Sequence, residues 1–148
     1  MGFCEIGELF FMETCGEKLE MRGVDVGNKH RVTFVPDVDV LDLDRLGRAC
    51  AKNSTLEGGV NTEFCEVVEK NLIKARVFER GSGETLACGS GACAIAAASV
   101  ANGSSDAGNP VRILMRGGEL LVKLDENMRA ILIGGAQKCF EGTAELNI

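Results

Sequence analysis

The chain has 148 residues, 45% of them hydrophobic and 26% charged, with seven cysteines, one histidine and a formal net charge of −6. That length suffices for one domain with a real core, and the acidity argues against nucleic acid or an anionic membrane as partner. No apolar run reaches the length of a membrane span, no basic lead marks a secretory signal beside Glu5 and Glu8, and Ile6 stands where a myristoylation signal needs Ser or Thr.

The pattern is weakest over residues 1–23, where Glu8–Glu13 and Lys18–Met21 read as two strands around a turn at Cys15-Gly16. Val24–His30 alternates and then turns at Gly27-Asn28. Arg31–Val35, β-branched and aromatic, reads as a strand that Pro36-Asp37 breaks. Asp42 or Asp44 can cap a helix through Leu43, Leu46, Ala49 and Cys50, which Asn53-Ser54 would end. After a turn at Glu57-Gly58-Gly59, Val60–Val68 and Leu72–Glu79 form a hairpin about Glu69-Lys70-Asn71.

A run with four glycines follows, Glu79-Arg80-Gly81-Ser82-Gly83-Glu84-Thr85-Leu86-Ala87-Cys88-Gly89-Ser90-Gly91, and it leads into Ala92-Cys93-Ala94-Ile95-Ala96-Ala97-Ala98-Ser99-Val100-Ala101. The latter is small and apolar on every side, the signature of a buried helix. Asn102-Gly103 stops it. Val111–Met115, Leu120–Leu124 and Ala130–Gly134 then read as strands joined by turns at Arg116–Glu119 and Asp125–Asn127, and Cys139–Leu146 closes the chain. Two helices and eight to ten strands, mostly in hairpins, predict an α+β domain: a curled antiparallel or mixed sheet around a central apolar helix.

The buried helix starts at Cys88-Gly89-Ser90, so its free N–H groups and positive dipole end face that loop. A thiol there is expected to have a stabilised thiolate, and the N–H groups can hold a carboxylate. Cys88 is thus a candidate acid or base, beside the plainer reading of a buried cysteine. Cys93 reads as packing. Cys4, Cys15, Cys50, Cys65 and Cys139 complete an odd set without a Cys-x-x-Cys pair, and His30 is the sole histidine, so a zinc site is not expected and a reducing cytoplasm is. The absence of Trp and Tyr argues against a stacking platform for bases. Gly89-Ser90-Gly91-Ala92-Cys93-Ala94 matches a Gly-x-Gly-x-x-Ala dinucleotide fingerprint, but a long loop separates it from the strand before, and the later elements read as hairpins instead of βαβ units. Arg80 can clamp a carboxylate or simply end a strand. Asn28 and Asn61, each close to a glycine, read individually as turn residues.

Together these residues closely resemble the diaminopimelate epimerase family. The stretch Arg76–Ala94 resembles its signature. Val26-Gly27-Asn28-Lys29-His30 looks like its Gly-Asn-Pro-His segment and Gly59-Val60-Asn61-Thr62-Glu63-Phe64 its Gly-Val-Asn segment, while Arg116–Leu120 and Phe140-Glu141-Gly142 match its closing hairpins. The resemblance covers residues 24–146, and residues 1–148 are expected to form a single domain like the family's C-terminal half. Proline racemase and its relatives share the fold and stand as the alternative isomerase reading.

The resemblance implies a cytoplasmic isomerase of lysine biosynthesis that interconverts LL- and meso-diaminopimelate with no pyridoxal phosphate, metal or other cofactor. Two cysteines flank the α-carbon, one removing its proton and the other returning one to the opposite face. By resemblance Cys88 is one of the pair, Gly89 and Ser90 hold the α-carboxylate, Glu79 and His30 help place the proton, and Asn28, Asn61, Glu79 and Arg80 contact substrate. Three departures stand out. Lys29 replaces proline and is expected to loosen the turn carrying Asn28 and His30. Ser90 replaces threonine. The second cysteine belongs to an N-terminal domain with an Asn-Cys-Gly-Asn-Gly motif, which the neighbours of Cys4 and Cys15 do not match. The chain is therefore expected to need a missing N-terminal half, or to pair as a homodimer. A non-catalytic carboxylate-binding module is the reading from a different class.

Overall fold

The computed structural model describes residues 1–52 and 59–146, so the helix stop expected at Asn53-Ser54 and the Glu57-Gly58 part of the next turn lie outside it. Strands β1 (Glu5–Thr14) and β2 (Glu17–Asp25) form the first hairpin. Its turn places both Cys15 (φ 52°) and Gly16 (φ 76°) in left-handed backbone, the geometry whose twist matches a tight hairpin. Strand β3 (Lys29–Phe34) pairs antiparallel with β2, and helix α1 (Leu43–Lys52) follows. Of the two expected caps, Asp42 is the one used: its Oδ1 accepts from Arg45 N–H at 3.2 Å, whereas Asp44 pairs with Arg48.

Helix α1 carries the chain across to β4 (Asn61–Glu69), which lies parallel to β3, and β5 (Leu72–Glu79) returns antiparallel beside β4. A short strand β6 (Gly83–Thr85) folds back on β5 inside the glycine-rich run. Helix α2 (Gly89–Ala101) then crosses to β7 (Val111–Met115), parallel to β5. The strands β8 (Gly118–Leu124) and β9 (Ala130–Ile133) finish the sheet in order β1-β2-β3-β4-β5-β7-β8-β9. The α+β class and the mixed sheet agree with expectation, as do most of the hairpins; beyond it, both helices are crossovers between parallel strands. Parallel neighbours need such a crossover, and local periodicity does not reveal it. Residues 134–146 form no regular element, so Phe140-Glu141-Gly142 closes no hairpin: Phe140 is 85% exposed, with no strand among the described residues paired to it.

Helix α2 is buried over Gly91–Ser99 on all sides, because alanines let strands approach it from every direction. The sheet curls around it far enough that Phe3 bridges Arg129 and Ala130 N–H donates to Gly2 O at 3.0 Å, tying the sheet's two ends together. Ile95, Val32, Cys65, Ile113 and Val122 fill this core. A second, smaller core lies under α1, from Leu43, Leu46, Cys50, Phe64 and Met21. There Gly47 lets the Phe78 ring lie directly on α1, since a Cβ at position 47 would stand 2.2 Å from the ring. No helix among the described residues is long and apolar enough to cross a membrane.

Candidate active site

The topology brings several sequence-distant residues to one place. Strands β3 and β4 start together, with His30 opposite Asn61, and antiparallel β5 ends there at Glu79, beside the start of β4. The N-terminus of α2 arrives at the same place, with Gly91 against Glu63 of β4 and Ser90 against Asn28, two residues before His30. Alternation then turns His30 and Val32 of β3, and Asn61, Glu63 and Cys65 of β4, toward α2.

Cys88 is the N-cap of α2, with extended backbone (φ −142°, ψ 114°). Its Sγ accepts from Gly91 N–H at 3.3 Å and lies 3.5 Å from Ser90 Oγ, while its own N–H donates to Met115 Sδ at 3.5 Å. Asn28 Nδ2 donates to the same Ser90 Oγ at 3.4 Å, so Asn28, Ser90 and Cys88 are contiguous. Gly89 packs against Leu132, whose Cδ2 would be 3.0 Å from a Cβ there.

The thiol is 8% exposed, and its protonation differs from the sequence expectation of a stabilised thiolate. Burial pushes its pKa above the ordinary thiol value, the hydrogen bonds from Ser90 and Gly91 pull it down, and the nearby carboxylates of Glu79 and Glu63 push it up again. Desolvation wins because the site is closed over by the sheet. Cys93, further inside, is pushed up to about 12 by burial and is a packing thiol, as expected.

The loop leading into Cys88 is tied at several points. Arg76 grips Glu84 of β6 with two parallel hydrogen bonds, Nε to Oε1 at 2.8 Å and Nη2 to Oε2 at 2.9 Å, and Arg116 reaches the same carboxylate at 3.0 Å. Gly117 N–H donates to Leu86 O at 2.7 Å. Glu79 is set by Thr85, whose hydroxyl donates to Oε1 at 2.6 Å. Asn61 Oδ1 accepts from Arg80 N–H at 3.0 Å, and the exposed Arg80 side chain reaches back to Gly59 O at 3.5 Å. The turn before His30 is braced despite Lys29: Asp25 Oδ1 accepts from Gly27 N–H at 2.9 Å, and Asp25 Oδ2 pairs with Lys29 Nζ at 3.3 Å. An Asx turn thus takes the place of the rigidity that proline would give.

His30 is buried, with Nδ1 2.6 Å from Glu63 Oε1. Glu63 received no role in the sequence analysis. The available signal was an acid at an inward position of an alternating strand, between Asn61 and Cys65. A cavity of ≈ 480 Å³ opens elsewhere, over β1–β3, with Phe10, Gly23, Asp25 and Arg31 in its wall; His30 borders it but Cys88, Glu79 and Asn61 do not. Among the described residues no three His, Cys, Asp or Glu side chains gather to hold a metal ion. The parallel unit β5–α2–β7 is present after all, but β6 and Leu86–Cys88 separate the glycines from the strand, unlike a dinucleotide turn.

The model of the family described as diaminopimelate epimerase matches residues 23–139. A diaminopimelate epimerase from Acetivibrio thermocellus is 40% identical over 137 residues, which cover 92% of this chain and 48% of that protein. One from Desulfovibrio desulfuricans is 42% identical over 128 residues, 86% of this chain and 44% of that protein. The chain spans about half the length of the curated relatives it matches. Among solved structures, a probable proline racemase from Agrobacterium radiobacter K84 with bound carbonate has a TM-score of 0.65 at 15% identity, covering 88% of this chain and 47% of that one. A hydroxyproline epimerase from Agrobacterium vitis has a TM-score of 0.59 at 14% identity, covering 88% and 46%. These two structural likenesses concern the fold alone.

Proposed function

This chain belongs to the diaminopimelate epimerase family, and from that premise we propose that it forms, as one domain, half of a cofactor-independent amino-acid epimerase site. The substrate is diaminopimelate, as the names of the relatives suggest. The observation that carries the reading is Cys88 Sγ at the N-cap of α2, between the Gly91 N–H and the Ser90 hydroxyl.

The roles are those the family resemblance implies, and the geometry supports them. The first N–H groups of α2, at Gly89 and Ser90, receive the α-carboxylate and offset charge as it develops on the α-carbon. Cys88 exchanges one proton with that carbon: as thiolate it takes the proton from one face, and in the reverse direction its thiol returns it. The raised thiol pKa favours the protonated form at rest, so in the free site Cys88 is poised to donate. Glu79, held by Thr85 and close enough for its charge to act on the thiol, and His30, joined to the thiol's neighbour Glu63, help place the proton. Asn28, Asn61 and Arg80 recognise the distal amino-acid end, with Arg80 offering a two-pronged grip on its carboxylate.

The opposing thiol comes from outside the chain, from an N-terminal half or from a second copy related by two-fold symmetry. Leu86, two residues before Cys88 and 66% exposed, gives such a partner an apolar contact. Sedimentation at micromolar concentration separates the two, since a monomer excludes the second copy.

The test is deuterium wash-in at the α-carbon of diaminopimelate in D₂O, followed by proton NMR, for wild type and Cys88→Ala, alone and mixed with a relative's N-terminal half. Cys88-dependent exchange is expected at least in the mixture. Binding that persists without exchange in every mixture would instead make the chain a carboxylate-binding module.

A further inference from the structure

Glu63 has neither surface exposure nor a packing role suited to an acid. It is fully buried on β4, and Oε1 lies 2.6 Å from His30 Nδ1, also fully buried. The far atoms of both groups, Glu63 Oε2 and His30 Nε2, are buried with no hydrogen-bond partner among the described residues. The same carboxylate closes on α2: a Cβ at Gly91 would stand 3.0 Å from Glu63 Oε1 and 3.3 Å from Cys88 Sγ. The His30–Glu63 pair and the thiol therefore meet across one glycine.

A lone charge in such a place is costly, and an ion pair there survives only when both partners are matched. Two groups at 2.6 Å meet the condition by holding one proton between them, as carboxyl with neutral imidazole or as carboxylate with imidazolium. Loss of that proton leaves a net negative charge beside the thiol. The titratable groups facing Glu63 are His30 from β3, Cys65 further along β4, Glu79 from β5 and Cys88 from α2.

We infer that Glu63 is a positioning residue for His30, and that the pair is a buried proton store to which Cys88 is coupled: the Cys88 thiolate forms readily only while the pair keeps its proton. The store and the thiol compete for one proton, so binding steps that protonate the pair ready the thiol as a base. Burial pushes Glu63 above the ordinary carboxylate range, in keeping with a proton held there. Once Glu63 is ionised, its charge resists loss of the Cys88 proton. The importance of the coupling rests on Cys88 being the acid/base proposed above, but its test needs neither substrate nor turnover.

His30 is the sole histidine, so its imidazole ¹⁵N signals identify themselves in the labelled chain. While the pair keeps its proton, wild type is expected to show a ring protonated at Nε2 and a far-downfield proton shared between Nδ1 and Glu63 Oε1. It should also show one inflection shared by the His30 shifts and the rate of Cys88 alkylation by iodoacetamide, resolved by peptide mass spectrometry because Cys15 and Cys139 are exposed and also react. In Glu63→Gln the downfield proton moves upfield, and the alkylation midpoint of Cys88 falls by about one pH unit, which makes alkylation about ten-fold faster below the midpoint. A ring protonated at Nδ1 alone in wild type at neutral pH, no shared inflection, or an unmoved Cys88 midpoint in folded Glu63→Gln each overturns the inference. The wild-type measurement stands by itself if that variant does not fold. Failure of deuterium wash-in with these shifts present would overturn the epimerase reading and leave the proton store standing.

Discussion

Gly91→Ala sets two opposing effects against each other within one residue. Alanine in place of glycine inside a helix ordinarily stabilises by about 0.5–1 kcal/mol, through the lower entropy of the unfolded chain. At position 91 the new methyl would stand 3.0 Å from Glu63 Oε1, 3.2 Å from Cys88 Cβ and 3.3 Å from Cys88 Sγ. None of these neighbours can yield cheaply. Glu63 is held by His30 at 2.6 Å, and Cys88 is held as the cap of α2. Overpacking of this kind costs about 1–3 kcal/mol, so a net loss of about 1 kcal/mol is expected. Urea unfolding followed by circular dichroism measures it as a lower midpoint at unchanged slope. The wedge also drives Sγ away from the Gly91 N–H, which removes an interaction favouring the thiolate, so Cys88 alkylation at pH 8 slows. An alanine variant more stable than wild type, with unchanged alkylation, would refute the crowding argument and the proximity of Glu63 to the thiol with it.

Ser90→Ala removes a hydrogen bond that pulls the Cys88 pKa down, so the pKa rises further and alkylation at fixed pH slows several-fold; a faster rate would contradict the assignment. Glu84→Gln weakens the two-pronged Arg76 grip and costs about 1 kcal/mol at pH 7. Arg76 holds the Glu84 carboxyl below its usual range, so its contribution is present above the unfolded-state value of about 4.3 and is lost as pH falls through the lower folded value. The variant should therefore lose less stability than wild type on acidification below about pH 5, as urea titrations at several pH values would measure. Ile95→Ala empties a fully buried position on α2 and should cost about 2–4 kcal/mol, read as a Tm several degrees lower; a loss under about 1 kcal/mol would mean the sheet does not close tightly on the helix.

Much of the molecule was legible because it is encoded at short range. Alternation in Val60–Val68 marked β4, Val111–Met115 read as the strand that is β7, and Gly16, Asn71 and Gly103 stand where the chain takes positive φ. The composition of Ala92–Ala101 required a helix with no solvent face, and such a helix in a chain of this size needs a sheet around it. The motif around Cys88 pointed to the site and its neighbours. Strand neighbours were not legible: the parallel pairings of β3 with β4 and β5 with β7 depend on which strands can reach α2, and that is a long-range matter. The short strand β6 was missed because its pairing comes from β5 and its anchorage from Arg76 and Arg116, all outside the segment itself. Glu63 reads in the sequence as one more acid on a strand. Only the parallel pairing of β3 with β4 brings it to His30, and only closure of α2 over β4 removes it from water and sets its charge against Cys88. The thiol's protonation was misjudged for the same reason: the helix N-terminus is written in the local sequence, whereas the desolvation that outweighs it exists only once the sheet has closed.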